Sequence, residues 1–292
     1  MYKRQPEGDT IRILARRVDE QFGGALVERT VTRDPRLVGL DLDGRVLVDA
    51  DAYGKHLFVR FDDGRSLHAH LMMTGGFALG RRSRETEWKR RIELRLDRGW
   101  LTGESVPVLG VVPTPEEHEI TDLLGPDLCA EAGPPDVDVV TERLAGAQDR
   151  PLTGALLDQR LVAGWGNVYG NDLPFIAGVS PFAPVGEIEH LRSLVAFGVA
   201  VIRVNADLRR QNTTGRRLHT DDRWIHARGR SRCLVCGNRL EYRDEQQTSW
   251  GRTVTWCPVC QPESGERSPW VEEGRLRRLT ALHPAARTIV RP

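Results

Sequence analysis

Residues 233–260 read CLVCGNRLEYRDEQQTSWGRTVTWCPVC. The stretch opens with Cys233-x2-Cys236, passes through a spacer of twenty residues, and closes with Cys257-x2-Cys260. Two thiolate pairs at this spacing can close a tetrahedral shell around one zinc ion, each pair on its own tight turn. Gly237 and Asn238, directly after the first pair, supply turn chemistry that bends both sulfurs toward one point. Zinc in such a closed four-sulfur shell is structural, so it stiffens whatever lies between the pairs. The alternative, two disulfides, needs an oxidising compartment. The opening residues MYKRQPEGDT lack the apolar segment of a signal peptide. Cys129, the fifth cysteine, stands alone and reads as a small buried hydrophobe. Between the pairs, Thr253-Val254-Thr255-Trp256 alternates as a strand does, and a turn falls around Ser249 to Gly251. The metal would therefore pin a β-hairpin with Arg252 near its tip.

Charge follows the same segment. Residues 201–260 hold twelve Arg and no Lys against six Asp plus Glu, a net of +6, whereas the whole chain is only +1. A basic segment inside a nearly neutral protein is the footprint of a phosphate-binding face. The remaining bulk properties describe an ordinary soluble, cytoplasmic protein of about two domains for its 292 residues, 39% of them hydrophobic. No apolar run approaches the ~20 residues of a membrane span.

Upstream, Ile11, Leu14, Ala15, Val18 and Phe22 share one helical face, and Gly23-Gly24 ends that helix. Asp9 or Thr10 is the expected cap. From about 36 to 101 the pattern is of strands: Asp43-Gly44 and Asp63-Gly64 are hairpin signals, and 57–61 and 66–71 are β-rich runs. Pro/Gly-rich stretches then mark a domain end. The second half is helical, with helices expected over 151–162, over 168–177 with an interruption near Pro174, and over 187–209. Gly164-Trp165-Gly166-Asn167 is a glycine turn that brings backbone amides to a helix N-terminus, a ready anion site. Residues 263–292 are expected as one extra helix or a loose tail. His68 and His70, at alternate strand positions, read as sheet residues on one face.

Five separated motifs, PEGDT at 6–10, GKHL at 54–57, HLMMTG at 70–75, LLDQRLVAGWGNVYGND at 156–172 and RTVTWCPVCQ at 252–261, occur in the order of one family. The chain resembles the formamidopyrimidine-DNA glycosylase and endonuclease VIII family, its endonuclease VIII branch in PEGDT. The resemblance implies an α+β multidomain fold: an N-terminal β-sandwich flanked by helices over 6–128, a linker over 129–140, a helix-two-turn-helix bundle over 141–225, a zinc-ribbon β-hairpin over 226–262 and an extension over 263–292, with a DNA-binding cleft between the two main domains. It implies a monomer that excises oxidised bases, pyrimidines favoured, from duplex DNA and cleaves the abasic site through a Schiff base. In this reading the Pro6 amine attacks the sugar, Glu7 is the acid, and Lys55 contacts phosphate and assists proton transfer. Met73 is the apolar wedge filling the gap left by the flipped nucleotide. Asn167 and Arg252 grip phosphates, and Cys233, Cys236, Cys257 and Cys260 hold one structural zinc.

Four positions depart from the family pattern. Pro6 follows MYKRQ, and inside a peptide bond its nitrogen is an amide without a basic lone pair. Loss of the initiator Met alone does not expose it, because Gln5 precedes it. A misassigned start, removal of five residues after synthesis, or a variant that lost this nucleophile, leaving a DNA binder or an enzyme using another amine such as Lys55, are the open readings; the retained Glu7, Lys55 and phosphate-gripping set favour the first. Gly170 and Asp172 replace a longer side chain and a Glu. Pro174 inside a helix costs about 3 kcal/mol unless the backbone is otherwise accommodated.

Overall fold

The structure is a computed structural model that describes residues 6–81, 88–216, 222–262 and 275–286. It divides into two compact units, one ending at Leu123 and the other starting at Leu124. The Pro/Gly-rich stretch after Leu124 thus belongs with the second unit, whose core takes in Leu128 and Cys129.

The first unit opens with α1 (Gly8–Phe22), which buries Ile11, Ala15, Val18 and Phe22 as the sequence spacing predicts. Its cap differs from expectation: Glu7, not Asp9 or Thr10, takes the N-cap. Thr10 Oγ1 accepts the Glu7 backbone N–H at 3.1 Å, closing a reciprocal capping box. Eight antiparallel strands follow: β1 (Ala25–Thr32), β2 (Val46–Tyr53), β3 (His56–Phe61), β4 (Arg65–His70), β5 (Gly76–Gly80), β6 (Arg90–Leu96), β7 (Gly99–Glu104) and β8 (Val108–Pro113). Their order is β5-β7-β6-β1-β2-β3-β4-β8. β1 is the shared strand, pairing with β6 along most of its length and with β2 only through Ala25 and Leu26. Ile92, Leu94 and Leu101 from one half and Leu57, Val59, Leu67 and Leu109 from the other meet α1 in a single core, as a β-sandwich flanked by helices requires. A short helix, α2 (Glu117–Thr121), ends this unit.

Asp63-Gly64 makes the β3–β4 turn, with Gly64 at φ +78°. Asp43-Gly44 is not a two-residue hairpin loop; it is a turn within the long β1–β2 connection, just before β2. A two-residue hairpin forms instead at Gly54-Lys55, where Tyr53 pairs with His56 and Gly54 adopts φ +55°.

The second unit contains α3 (Val137–Ala145), α4 (Leu152–Leu157), α5 (Asn167–Ala177), α6 (Leu191–Asp207), β9 (Glu241–Arg243), β10 (Val254–Trp256) and α7 (Arg275–Thr280). α4 is shorter than the expected 151–162, because Asp158 leaves helical geometry and its carboxylate takes the Arg160 N–H and both Arg160 and Arg150 guanidinium groups. α6 starts at Leu191, so Ile188 packs from the preceding turn rather than from the helix. α5 is continuous through Pro174, against the expected interruption. Proline cannot donate to the Gly170 carbonyl four residues back. The Thr153 hydroxyl of α4 donates to that carbonyl instead, at 2.8 Å. Gly170 itself admits the approach: a Cβ there would stand 3.0 Å from Leu157 Cδ2. The departures at Gly170 and Pro174 are therefore one packing solution between α4 and α5. The hairpin of β9 and β10 forms as expected, with Val254 opposite Arg243 and Trp256 opposite Glu241. Among the described residues no helix is long and apolar enough to cross a membrane. Residues 1–5, 263–274 and 287–292, which carry the sequence readings of the start and most of the tail, lie outside the described residues.

Candidate functional site

In the first unit, three sequence-predicted residues sit on connected elements. Glu7 is fully buried at the mouth of α1. Arg12, one turn further along the same helix and also buried, reaches Asp51 and the Ala52 carbonyl on β2. That bridge ties the helix carrying Glu7 to the strand leading into the Gly54-Lys55 hairpin, and it was missed in the sequence. Its signal is positional: a cation falls inside the buried stripe of α1 beside Ile11 and Ala15. Lys55 is half-buried at the hairpin tip.

Next to Lys55 three imidazoles meet. His56 Nδ1 and His68 Nε2 are 2.8 Å apart, the two rings stack at 5.1 Å, and His70 meets His56 edge-on at 4.8 Å. Burial lowers the His56 pKa to about 3, and His70, His68 and Lys55 add repulsion against a further positive charge. His68 is lowered by burial as well. His70 Nδ1 accepts the Met72 backbone N–H at 3.2 Å, helping to hold Met72 at φ +47°. This turn leaves Met73 53% exposed, so Met73 is no core residue beside buried Leu71. An exposed, unbranched apolar side chain on a backbone-fixed turn has the form of a wedge.

In the second unit α5 is the organising element. Gln159 builds the turn before it, accepting the Gly164 N–H at 3.0 Å and donating to the Leu157 and Trp165 carbonyls at 2.9 Å each. Gly164 takes φ +126°, and Trp165 buries completely. α4, the two turns and α5 form the helix-two-turn-helix. Asn167 then lies at the first position of α5, capped by Gly166, so it is not the helix cap. Its Nδ2 donates to Thr253 Oγ1 at 3.0 Å, directly beside Arg252, and its Oδ1 is buried with no hydrogen-bond partner. The structure thus brings Asn167 and the Arg252 tip together. Thr248 closes that tip, accepting the Arg252 N–H at 3.1 Å and donating to the Arg252 carbonyl at 2.8 Å.

Asp172 carries more than its sequence reading suggested. Its buried carboxylate accepts the backbone N–H groups of Trp224, Ile225 and His226 at 3.0, 3.0 and 2.9 Å, and the Thr213 hydroxyl. His226 in turn bonds the Asn167 backbone, and its pKa is lowered to about 3 by burial and by Arg223.

The four cysteines converge. One sulfur from each lies within 4.8 Å of all the others, with Cys236 and Cys257 at 3.4 Å and Cys233 and Cys260 at 3.9 Å. A disulfide needs about 2.05 Å, and all four thiols are free. A tetrahedral ion with bonds of about 2.3 Å puts its sulfurs roughly 3.8 Å apart. The Val235 and Cys260 amides donate to the sulfurs of Cys233 and Cys257, each at 3.4 Å, as thiolate ligands require. Hydrogen bonds from Cys257 and Cys260 pull the Cys233 thiol well below its ordinary range, while Cys257 is pushed up to about 12. The donor set fits a metal ion.

An antiparallel sandwich with an acidic helix mouth, followed by a four-thiol hairpin bonded to the first turn of a glycine-introduced helix, defines a recognisable class. Residues 5–105 match the formamidopyrimidine-DNA glycosylase N-terminal domain. The solved structure of the MutM (Fpg) protein from Thermus thermophilus matches with a TM-score of 0.71 and 28% identity, covering 89% of this chain and all of that one. The chain belongs to the formamidopyrimidine-DNA glycosylase and endonuclease VIII family. It is 36% identical over 274 residues to a probable endonuclease 8 2 from Streptomyces coelicolor, covering 90% of this chain and 98% of the relative. It is 34% identical over 260 residues to the DNA-(apurinic or apyrimidinic site) lyase Nei2 of Mycolicibacterium smegmatis, covering 89% and 100%.

Proposed function

We propose that this chain is a bifunctional DNA glycosylase and abasic-site lyase of base-excision repair, acting on oxidised bases, pyrimidines favoured, in duplex DNA. The observation that carries the reading is the Asn167–Thr253 contact, which sets the Asn167 amide beside the backbone of the hairpin tip that carries Arg252. Such a pair suits two phosphates of one strand. Met73 fills the gap left by the extruded nucleotide.

The chemistry belongs to the first unit. The Pro6 amine, free when Pro6 is the first residue, bonds to the sugar carbon bearing the damaged base as the base departs with its electron pair and a proton. Glu7 supplies a proton to the opening sugar. The resulting iminium withdraws electrons, the adjacent carbon loses a proton, and the 3′ phosphate leaves; water then hydrolyses the Schiff base. Lys55 holds phosphate and assists proton transfer. Zinc is the ion for the four thiolates; it stiffens the hairpin and takes no part in bond breaking. The protein works as a cytoplasmic monomer on chromosomal DNA.

Borohydride trapping on a duplex with an oxidised pyrimidine tests this, with the chain as written and with 1–5 removed. A covalent adduct mapped to Pro6 in the trimmed form is expected. Tight lesion binding with no adduct in either form would leave a non-catalytic binder.

A further inference from the structure

Residues 275–286 lie beyond every motif discussed, yet they pack as part of the second unit. α7 lies against α5. Thr280 and His283 are each 2% exposed, and Ala285 is fully buried in the core that holds Trp165 and Leu173. His283 is fixed in one tautomer. Its Nε2 stands 2.9 Å from the Asn212 carbonyl, which only accepts, so Nε2 carries the proton. Its Nδ1 accepts the Ala285 N–H at 3.1 Å, so that nitrogen is bare. The ring meets Phe197 edge-on at 6.2 Å.

The surface His283 grips is a turn shaped for it. Gly215 has φ +73°, and a Cβ there would lie 2.3 Å from the Leu282 carbonyl carbon and 2.4 Å from the His283 nitrogen. Conformation and space both demand glycine. Asn212 Oδ1 accepts the Thr214 and Gly215 N–H groups at 3.0 and 2.9 Å, and Asn212 Nδ2 donates to the Arg216 carbonyl at 2.8 Å. Thr213 donates its N–H to the Asp222 carbonyl at 2.9 Å and its hydroxyl to Asp172. The turn is therefore clamped by Asp172 on one side and by 275–286 on the other. Asp172 also orders 224–226, through which His226 reaches Asn167. Arg216, at the end of the turn, sits 5.3 Å over the Trp224 ring.

We infer that residues 275–286 are an intramolecular strap that positions the Arg216 turn for DNA, with His283 and Gly215 as positioning residues. This rests on the DNA-binding reading above. The strap gives the described part of the C-terminal extension a role in binding, because a guanidinium carried on a clamped turn binds phosphate without the cost of ordering that turn.

The test measures dissociation constants of full-length variants for a duplex carrying a tetrahydrofuran abasic analogue, alongside melting curves. His283→Phe keeps the ring contact with Phe197 but cannot donate to Asn212. It and Gly215→Ala are expected to weaken binding by about tenfold, the scale of one lost buried hydrogen bond. His283→Gln retains a donor and is expected to bind close to wild type. Arg216→Ala, which needs no refolding of the core, is expected to match His283→Phe, and the two together to be no worse than either. Arg252→Ala is the control: if it leaves affinity unchanged, the DNA reading fails. If Arg252→Ala weakens binding while Arg216→Ala does not, the strap inference fails alone. Additive losses from Arg216→Ala and His283→Phe, or equal losses from Gln and Phe at 283, would also overturn it.

Discussion

Asn171 Oδ1 accepts the backbone N–H of Thr255 at 2.7 Å, while its Nδ2 donates to the Asn167 carbonyl at 2.7 Å. One side chain therefore links the second strand of the four-cysteine hairpin to the helix position that carries the Asn167 amide, the proposed phosphate contact. Both partners are buried, so water cannot replace either bond. Asn171→Ala leaves a buried N–H without an acceptor, at about 1–3 kcal/mol. Lower thermal stability and weaker binding to abasic-site DNA are expected, with full metal content retained. Unchanged DNA affinity would show that the hairpin finds its register without this link.

Thr153 and Pro174 are coupled through the Gly170 carbonyl. The proline leaves the Gly170 carbonyl without its helical donor, and the Thr153 hydroxyl replaces it. Thr153→Val should cost about 1–2 kcal/mol, the loss of a buried hydrogen bond. In a Pro174→Ala background the alanine supplies the helical N–H, and the same substitution should cost much less. A double-mutant cycle by chemical denaturation reads the coupling. Additivity would mean that Thr153 contributes only packing.

That pair shows where the sequence was legible and where it was not. The α1 face, the hairpins at Asp63-Gly64 and 253–256, and the cysteine spacing could be read because each signal repeats within a few residues. Pro174 announced a break that did not occur, because its remedy lies on another helix, 21 residues upstream in the chain. Asp172 looked like a shortened glutamate until its partners, more than fifty residues away, were in place. Arg12 and His283 are likewise ordinary residues whose meaning comes from distant backbone. The proposed site residues were legible only through motif order, since an isolated Lys or Met carries no local signature.

The cysteine cluster makes a prediction about metal. One zinc per chain is expected by elemental analysis, and Cys236→Ser should reduce it sharply. Strong chelation should release the hairpin from α5, because β9 and β10 pair over only three residues and cannot hold themselves in water. DNA affinity should fall with the zinc content, while the spectroscopic signal of the isolated β-sandwich unit persists. Full DNA binding by a metal-free protein would remove the structural role of the ion.

The imidazole cluster beside Lys55 predicts a pH dependence of stability. His56 is held at about 3 in the folded chain, against 6.5 for an ordinary histidine. Above pH 6.5 both folded and unfolded chains carry it neutral, and no stability is lost. As pH falls below 6.5 the unfolded chain takes up a proton that the folded chain refuses, so stability drops progressively toward pH 3. His68, His226 and His283 are lowered in the same direction, each chiefly by burial, and add to the slope. Melting temperature should fall between pH 7.5 and pH 5 by on the order of 5 °C. His56→Gln removes one titrating group, so its curve should be visibly shallower over that interval. Parallel curves for the variant and the wild type would mean that His56 opens to solvent and titrates as a free side chain.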